Sequence, residues 1–233
     1  MLNRVWIPSP NYSSRGGAGV RLIVLHTAEG ARTIESLGGY FQGNVSASSH
    51  TGADDKPNTI GEYVRRENKA WTAADYNPAA VQIELCGFAA WTTQEWDQHP
   101  NMLANAAAWI AEEAAHYGIP ITRLSPAQAQ GSGRGVCQHA DLGAGGGGHW
   151  DCGGGFPIDR VLDMARGDTP QLPEDTMAIA AYVNANGRDQ IVVHLESGVV
   201  KTLYKVTEGP GAPGWKRREN NEFAWEELGK PGK

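Results

Sequence analysis

Five polar side chains stand where a hydrophobic pattern leaves no place for them. His26 closes the apolar run VRLIVLH, and Glu84 interrupts the apolar run VQIELC. His139 follows a glycine-rich stretch in VCQHADLG, and His149 and Asp151 alternate in HWDCGG. Two imidazoles and a carboxylate make a three-ligand zinc set that leaves a fourth position for water. Zinc lowers the pKa of such a water to about 7, so hydroxide is available at neutral pH. Glu84 is then the group placed to take the water's proton. The competing reading is that these are hydrogen-bonded structural groups, as a histidine ending a strand often is. Residue type and spacing leave both readings open. His50, His99, His116 and His194 are read in the structural sense, with His99 and His116 facing solvent from a helical stretch.

A thiol mechanism is the second chemistry to weigh. Cys137 and Cys152 flank histidines and acids, and a thiolate beside an imidazole is the core of a Cys–His peptidase or amidase. Neither cysteine opens a clear nucleophile helix. Cys86, inside VQIELC, reads as a small buried apolar residue. Three cysteines are too few, and odd in number, for a disulfide framework. The run AGGGGHW resembles a phosphate-binding loop, but no Gly-Lys-Ser/Thr follows it.

These residues need strands and helices to position them. VRLIVLH (20–26) and AVQIELCGF (80–88) read as buried strands. ASSHTGAD (47–54) and TIGEYVR (59–65) read as strands around the polar turn DDKPN. Between the first two, Thr33 is a helix N-cap, followed by Ile34, Leu37, Tyr40 and Phe41 at helical spacing. TTQE (92–95) matches a capping box and opens an alanine-rich helical stretch to Tyr117, which Pro100 breaks or kinks. Gly118 and Pro120 stop it. FPIDRVLDMARG is a last short helix, with Pro157 near its start and Gly167 at its end. Alternating strands and helices predict an α/β unit: a mixed sheet with helices on its faces.

Composition narrows the function. The chain has 233 residues, 20 Lys and Arg, 26 Asp and Glu, and a formal net charge of −6. Neither part of the chain, split at Gly167, is basic. Non-specific nucleic-acid binding and a polybasic membrane anchor both need clustered cations, and both are excluded as expectations. No apolar run approaches the ~20 residues of a membrane-spanning helix, so no membrane insertion is expected. Glycine is in excess, 30 residues in all, and eleven of them fall between Gly131 and Gly155. That clump encloses His139, His149 and Asp151, so a loop folded around a metal is expected there.

The succession LIVLHTAEG, SASSHTGAD, AWTAADYN, VQIELCG, CQHADL and HWDCGGGFP resembles the zinc-dependent N-acetylmuramoyl-L-alanine amidases of the type-2 group, over roughly residues 18 to 166. That group includes phage amidases and peptidoglycan recognition proteins. The resemblance implies a central mixed sheet with a zinc groove on one face. It also implies hydrolysis, by zinc-activated water, of the amide joining N-acetylmuramic acid to L-alanine in bacterial peptidoglycan. It makes His26, His139 and Asp151 the Zn²⁺ ligands and Glu84 the catalytic carboxylate. His149 falls where the group commonly has a lysine that stabilises the oxyanion. His50 matches a largely architectural histidine. Departures are visible. The third ligand is commonly followed by Pro-Gly, but here the order is Asp151-Cys152-Gly153. The Cys152 thiol therefore competes for the ligand place, with the offset from His149 favouring Asp151. A tyrosine used by another branch is Ser49, and Ala-Trp-His reads Ala70-Trp71-Thr72. Trp71, Asn77 and Trp150 are candidates for the substrate wall, with Tyr76 and Trp91 beside them; the alternative for such aromatics is core packing. A peptidoglycan-binding protein without activity is the other class to weigh. Such relatives lose the third ligand, whereas Asp151 and Glu84 are both present here.

The expected organisation is a catalytic domain over 1–167, a proline-rich linker over 168–176 and a small β-rich unit over 177–233. The last has strand-like runs MAIAAYV, QIVVHLE and GVVKTLYKV, and reads either as a cell-wall-binding module or as an assembly module. The amino-terminal stretch MLNRVWIPSPNYSSRGG has no hydrophobic signal segment. The expectation is a phage endolysin, held in the host cytoplasm until the membrane is permeabilised.

Overall fold

The computed structural model describes residues 2–168 together with the backbone of three further strands. The chain divides into two compact units, 1–169 and 170–233. The first is built on a six-stranded sheet with order β1-β5-β4-β7-β3-β8. Its strands are β1 (Asn3–Trp6), β3 (Leu22–Thr27), β4 (Thr51–Ala53), β5 (Thr59–Glu62), β7 (Ala80–Leu85) and β8 (Gly135–Gln138). β4 and β5 pair antiparallel and every other pair is parallel, so the sheet is mixed. A small antiparallel ribbon, β2 (Tyr12–Ser14) with β6 (Asn68–Ala70), lies apart from it. The mixed sheet flanked by helices is the architecture expected from the sequence.

Alternation along the central strands sorts their side chains between two faces. Ile23, Leu25, Val81, Ile83 and Leu85 join a buried cluster with Trp109 and Ile110 of α3 (Pro100–Tyr117) and Val161 and Leu162 of α5 (Ile158–Arg166). Each such side chain, fully buried, contributes roughly 1.5–3 kcal/mol. Leu22, Val24, Ala80 and Cys137 make a smaller cluster with Leu124, Ala129 and Leu142 on the opposite face. His26, Gln82 and Glu84 continue that second face beyond the apolar patch. α1 (Ile34–Gln42) covers part of the same face. Tyr63 and Leu37 together occupy the space that a side chain at Gly52 of β4 would fill, and Gly52 is the register partner of Glu84.

The helix boundaries follow local chemistry. Thr33 accepts from the Ser36 N–H and caps α1. Thr92 and Glu95 cap each other at α2 (Thr93–Trp96), and α3 then starts at Pro100, where the missing N–H costs nothing. The stretch expected as one broken helix is therefore two helices. α4 (Pro126–Gln130) begins with Ser125 and Gln128 in a third capping box. The expected strands 47–54 and 59–65 are shorter, Thr51–Ala53 and Thr59–Glu62; ahead of the first, the Ser48 and Ser49 hydroxyls donate to the Asn11 and Gln82 carbonyls. Tyr40 is 55% exposed, so it does not share the buried stripe of Ile34, Leu37 and Phe41. No helix among the described residues is long and apolar enough to cross a membrane.

In the second unit β9 (Ile179–Ala185), β10 (Arg188–His194) and β11 (Val200–Val206) form an antiparallel sheet of order β11-β10-β9. Its side chains and the expected linker after Asp168 lie outside the described residues, as does the expected wall-binding role.

Candidate metal centre and groove

Three adjacent parallel strands end at one place. His26 stands at the end of β3 opposite Glu84 of β7, and His139 follows the last residue of β8. Asp151 arrives from the glycine-rich loop, whose return is tied by the Ala140 N–H donating to the Asp151 carbonyl at 2.7 Å. The three residues expected as ligands are all buried, with donor atoms within 4.8 Å of one another. His26 Nδ1 and His139 Nδ1 face each other at 2.9 Å. Asp151 Oδ1 lies 3.2 Å from His139 Nδ1, and Oδ2 lies 3.5 Å from His26 Nδ1.

Their outer partners decide which atoms face inward. His139 Nε2 donates to the Gly146 carbonyl at 2.7 Å, and His26 Nε2 donates to Gln82 Oε1 at 3.0 Å. A carbonyl oxygen only accepts, so Nε2 of His139 carries a proton, and in the singly protonated ring the Nδ1 lone pair points into the cluster. The same holds for His26 because Gln82 cannot turn round. Its Nε2 donates to Asn77 Oδ1, which also takes the backbone N–H groups of Thr72 and Ala73. Two imidazole lone pairs 2.9 Å apart beside a carboxylate repel one another unless positive charge lies between them. Burial lowers the pKa of His26 and keeps it neutral. Asp151 lies beside both Nδ1 atoms and supplies the negative charge of the cluster. Two neutral imidazoles and one carboxylate fit a divalent metal, and their outer-sphere partners are those that metal-ligating histidines ordinarily have.

Glycine shapes the loop that brings Asp151 in. Gly147 adopts φ 95°, and its turn places the preceding Gly146 carbonyl on His139. Gly153, at φ 83°, presses on the 89–92 segment so closely that a Cβ there would sit 1.9 Å from the Ala89 carbonyl oxygen.

Glu84 is half-buried, with Oε2 shielded and without a hydrogen-bond partner. Burial, with Asp151 and Glu29 adding, pushes its carboxyl up to about 8. The His149 ring stacks on His139 with centroids 4.5 Å apart, and its Nδ1 lies 3.9 Å from Asp151 Oδ1. Cys152 turns away from the cluster into the main core, completely buried. Burial pushes its thiol well above the ordinary value and that of Cys137 to about 12. Neither is a thiolate near neutral pH, so the Cys–His reading lacks a nucleophile. Asp151, and not Cys152, faces the histidines.

A groove of about 990 Å³ runs over the cluster. Glu84 and His149 line it, as does Trp71, whose Nε1 donates to Ser13 Oγ. Asn77, expected on the groove wall, is beneath it instead: three N–H groups saturate its Oδ1 and hold it as a brace for Gln82. Trp150 is 61% exposed next to His149 and outside the groove lining. Trp91 packs edge-on against Trp96, and Tyr76 packs on the smaller cluster. His50 is buried and accepts from the Gln82 N–H, whereas His99, expected to face solvent, stacks flat on Trp91 at 4.5 Å. Gln82 was legible only as one more polar residue on the Glu84 face, two positions back along the strand. Arg32 and Glu29, both lining the groove, carry no sequence signal.

The sequence matches the N-acetylmuramoyl-L-alanine amidase family over residues 16–154. No curated protein matches it. Among solved structures, the fold is similar to Staphylococcus aureus hydrolase AmiA in complex with its ligand. That match has TM-score 0.56 and 20% identity, covering 73% of this chain and 87% of that one. The PlyG catalytic domain matches with TM-score 0.50 and 15% identity, covering 74% of this chain and 98% of that one. With the family match spanning more than half its length, the chain belongs to the N-acetylmuramoyl-L-alanine amidase family.

Proposed function

We propose that the protein is a zinc-dependent peptidoglycan hydrolase that opens the amide between N-acetylmuramic acid and L-alanine. The observation that carries this is the convergence of two Nδ1 lone pairs and the Asp151 carboxylate on one point of the groove floor. His26, His139 and Asp151 would hold the ion. When bound, zinc supplies Lewis acidity, bringing the ionisation of water into the neutral range and polarising the scissile carbonyl.

The chain's own groups do the rest. Glu84 takes the proton of the attacking water and passes it to the departing alanine nitrogen. A carboxyl pushed up to about 8 keeps a proton through neutrality, which suits the donating half of that task. Beside positive charge the same carboxyl ionises more readily, which suits the accepting half. His149, stacked over His139 at the groove rim, donates to the carbonyl oxygen as it gains charge. Trp71 offers an aromatic face in the groove, and Trp150 offers one outside it, for sugar rings.

A lytic role as a phage endolysin, released from the host cytoplasm to the wall, is part of the same proposal and rests on the sequence resemblance. Digestion of purified peptidoglycan tests the reaction. New alanine amino termini without new reducing ends support it. Reducing ends alone indicate a glycosidase, and tight wall binding without cleavage indicates a recognition protein.

A further inference from the structure

Arg32 stands apart from the other arginines. Every other arginine among the described residues donates to a protein oxygen or makes an ion pair. Arg32 does neither. Its guanidinium sits instead in a notch between two aromatic rings, with Cζ 5.0 Å from the Phe88 centroid and 5.4 Å from that of Trp91. Those rings meet at 65° with centroids 5.7 Å apart, and Trp91 is itself clamped by Trp96 and His99. The notch is therefore rigid. It fixes the faces of the guanidinium and leaves its N–H edges without a partner, although Arg presents five donors in a planar fork.

The position matters as much as the geometry. Arg32 is the one Lys or Arg lining the groove among the described residues. Arg32 is therefore the permanently charged cationic side chain that an anionic group of the substrate meets on the groove wall. The neighbouring Glu29 makes no ion pair with it. Glu29 Oε1 is taken by the Thr27 hydroxyl at 2.6 Å and by the Ala89 N–H at 2.8 Å. A preorganised, unpaired fork on the groove wall is suited to a planar two-oxygen acceptor.

We propose that Arg32 is a specificity determinant that binds a carboxylate on the peptide arm of the substrate. The inference rests on the amidase reading above and adds a preference within it: stem peptides with free carboxylates over those in which they are amides. The aromatic notch spares Arg32 the entropy of being ordered on binding, so the discrimination falls mainly on KM.

The test uses the full-length protein and two muramoyl-pentapeptides. They are identical except that the peptide carboxylates are free in one and converted to carboxamides in the other. Wild type is expected to favour the free acid by about 10-fold in kcat/KM, in the range of one charge-assisted contact. In Arg32→Gln the ratio is expected to fall to within about two-fold of unity, and Arg32→Lys should restore part of it because charge returns without the fork. Equal kcat/KM for both substrates in wild type, or a ratio unaltered in Arg32→Gln, overturns the role of Arg32 and leaves the amidase reading intact. Failure of wild type to cleave either compound overturns the amidase reading, and this inference with it.

Discussion

The Nε2–H of His26 donates to Gln82 Oε1 across 3.0 Å, and this contact decides which nitrogen of His26 faces the groove. Asn77 decides in turn which end of Gln82 faces His26, because its oxygen already collects the Thr72 and Ala73 N–H groups. A side-chain amide buried in the sheet thus sets a tautomer at its edge.

Gln82→Leu should therefore lower zinc affinity by roughly 10–100-fold, the usual scale for losing an outer-sphere partner. Asn77→Asp, which keeps the accepting oxygen, should cost less than Asn77→Leu. Competition with a chromophoric chelator measures both. Affinity unchanged in Gln82→Leu would show that His26 is oriented by something else.

Glu84→Gln keeps the shape of the side chain and removes its proton chemistry. The expected result is a fall in kcat of about 10²–10⁴-fold, with zinc affinity altered far less. Release of alanine amino termini under saturating substrate gives the first, and metal titration the second. Full activity in the variant removes Glu84 from the proton path.

How much of this was readable beforehand depends on the residue. His26, Glu84, His139 and Asp151 each break a local pattern, so each was visible as an anomaly. Gln82 breaks the same pattern in the same strand, and the two-residue period places it on the face of Glu84. An amide suggests no chemistry by itself, so the sequence does not single Gln82 out. Asn77 neighbours aromatics in sequence, which suggests the groove wall. Its true direction depends on a short 3₁₀ turn, Ala74–Ala79, whose geometry no periodicity announces. Arg32 was invisible for a different reason. Its partners, Phe88 and Trp91, lie more than fifty residues away and come to it only through the sheet.

The three cysteines should be inert in the folded protein. All are buried, and burial pushes each thiol up, Cys137 to about 12. Iodoacetamide at neutral pH is expected to leave mass and activity unchanged in native protein, and to add three adducts after unfolding. Inactivation by a single native adduct would revive the thiol mechanism.

Glu113 on α3 gives Oε1 to Arg66 at 2.8 Å, while its Oε2 is buried without a partner. Burial pushes this carboxyl up to about 7, although Arg66 and Arg4 pull it down. The folded value lies above that of the unfolded chain, so the folded state binds the proton more tightly. The associated stability is complete below the unfolded value and is lost as pH rises through about 7. Denaturant unfolding across that window should show a falling stability in wild type and a flatter one in Glu113→Gln. Parallel curves would mean that Arg66 keeps Glu113 ionised throughout.

The most direct measurement is metal removal and return, read by the bond that opens. Protein stripped by a chelator and dialysed should release no alanine amino termini from peptidoglycan. One equivalent of zinc should restore release in wild type, but not in His26→Ala or Asp151→Ala. Stripped protein that still frees alanine amino termini at the untreated rate would contradict the metal centre on which the proposed reaction depends.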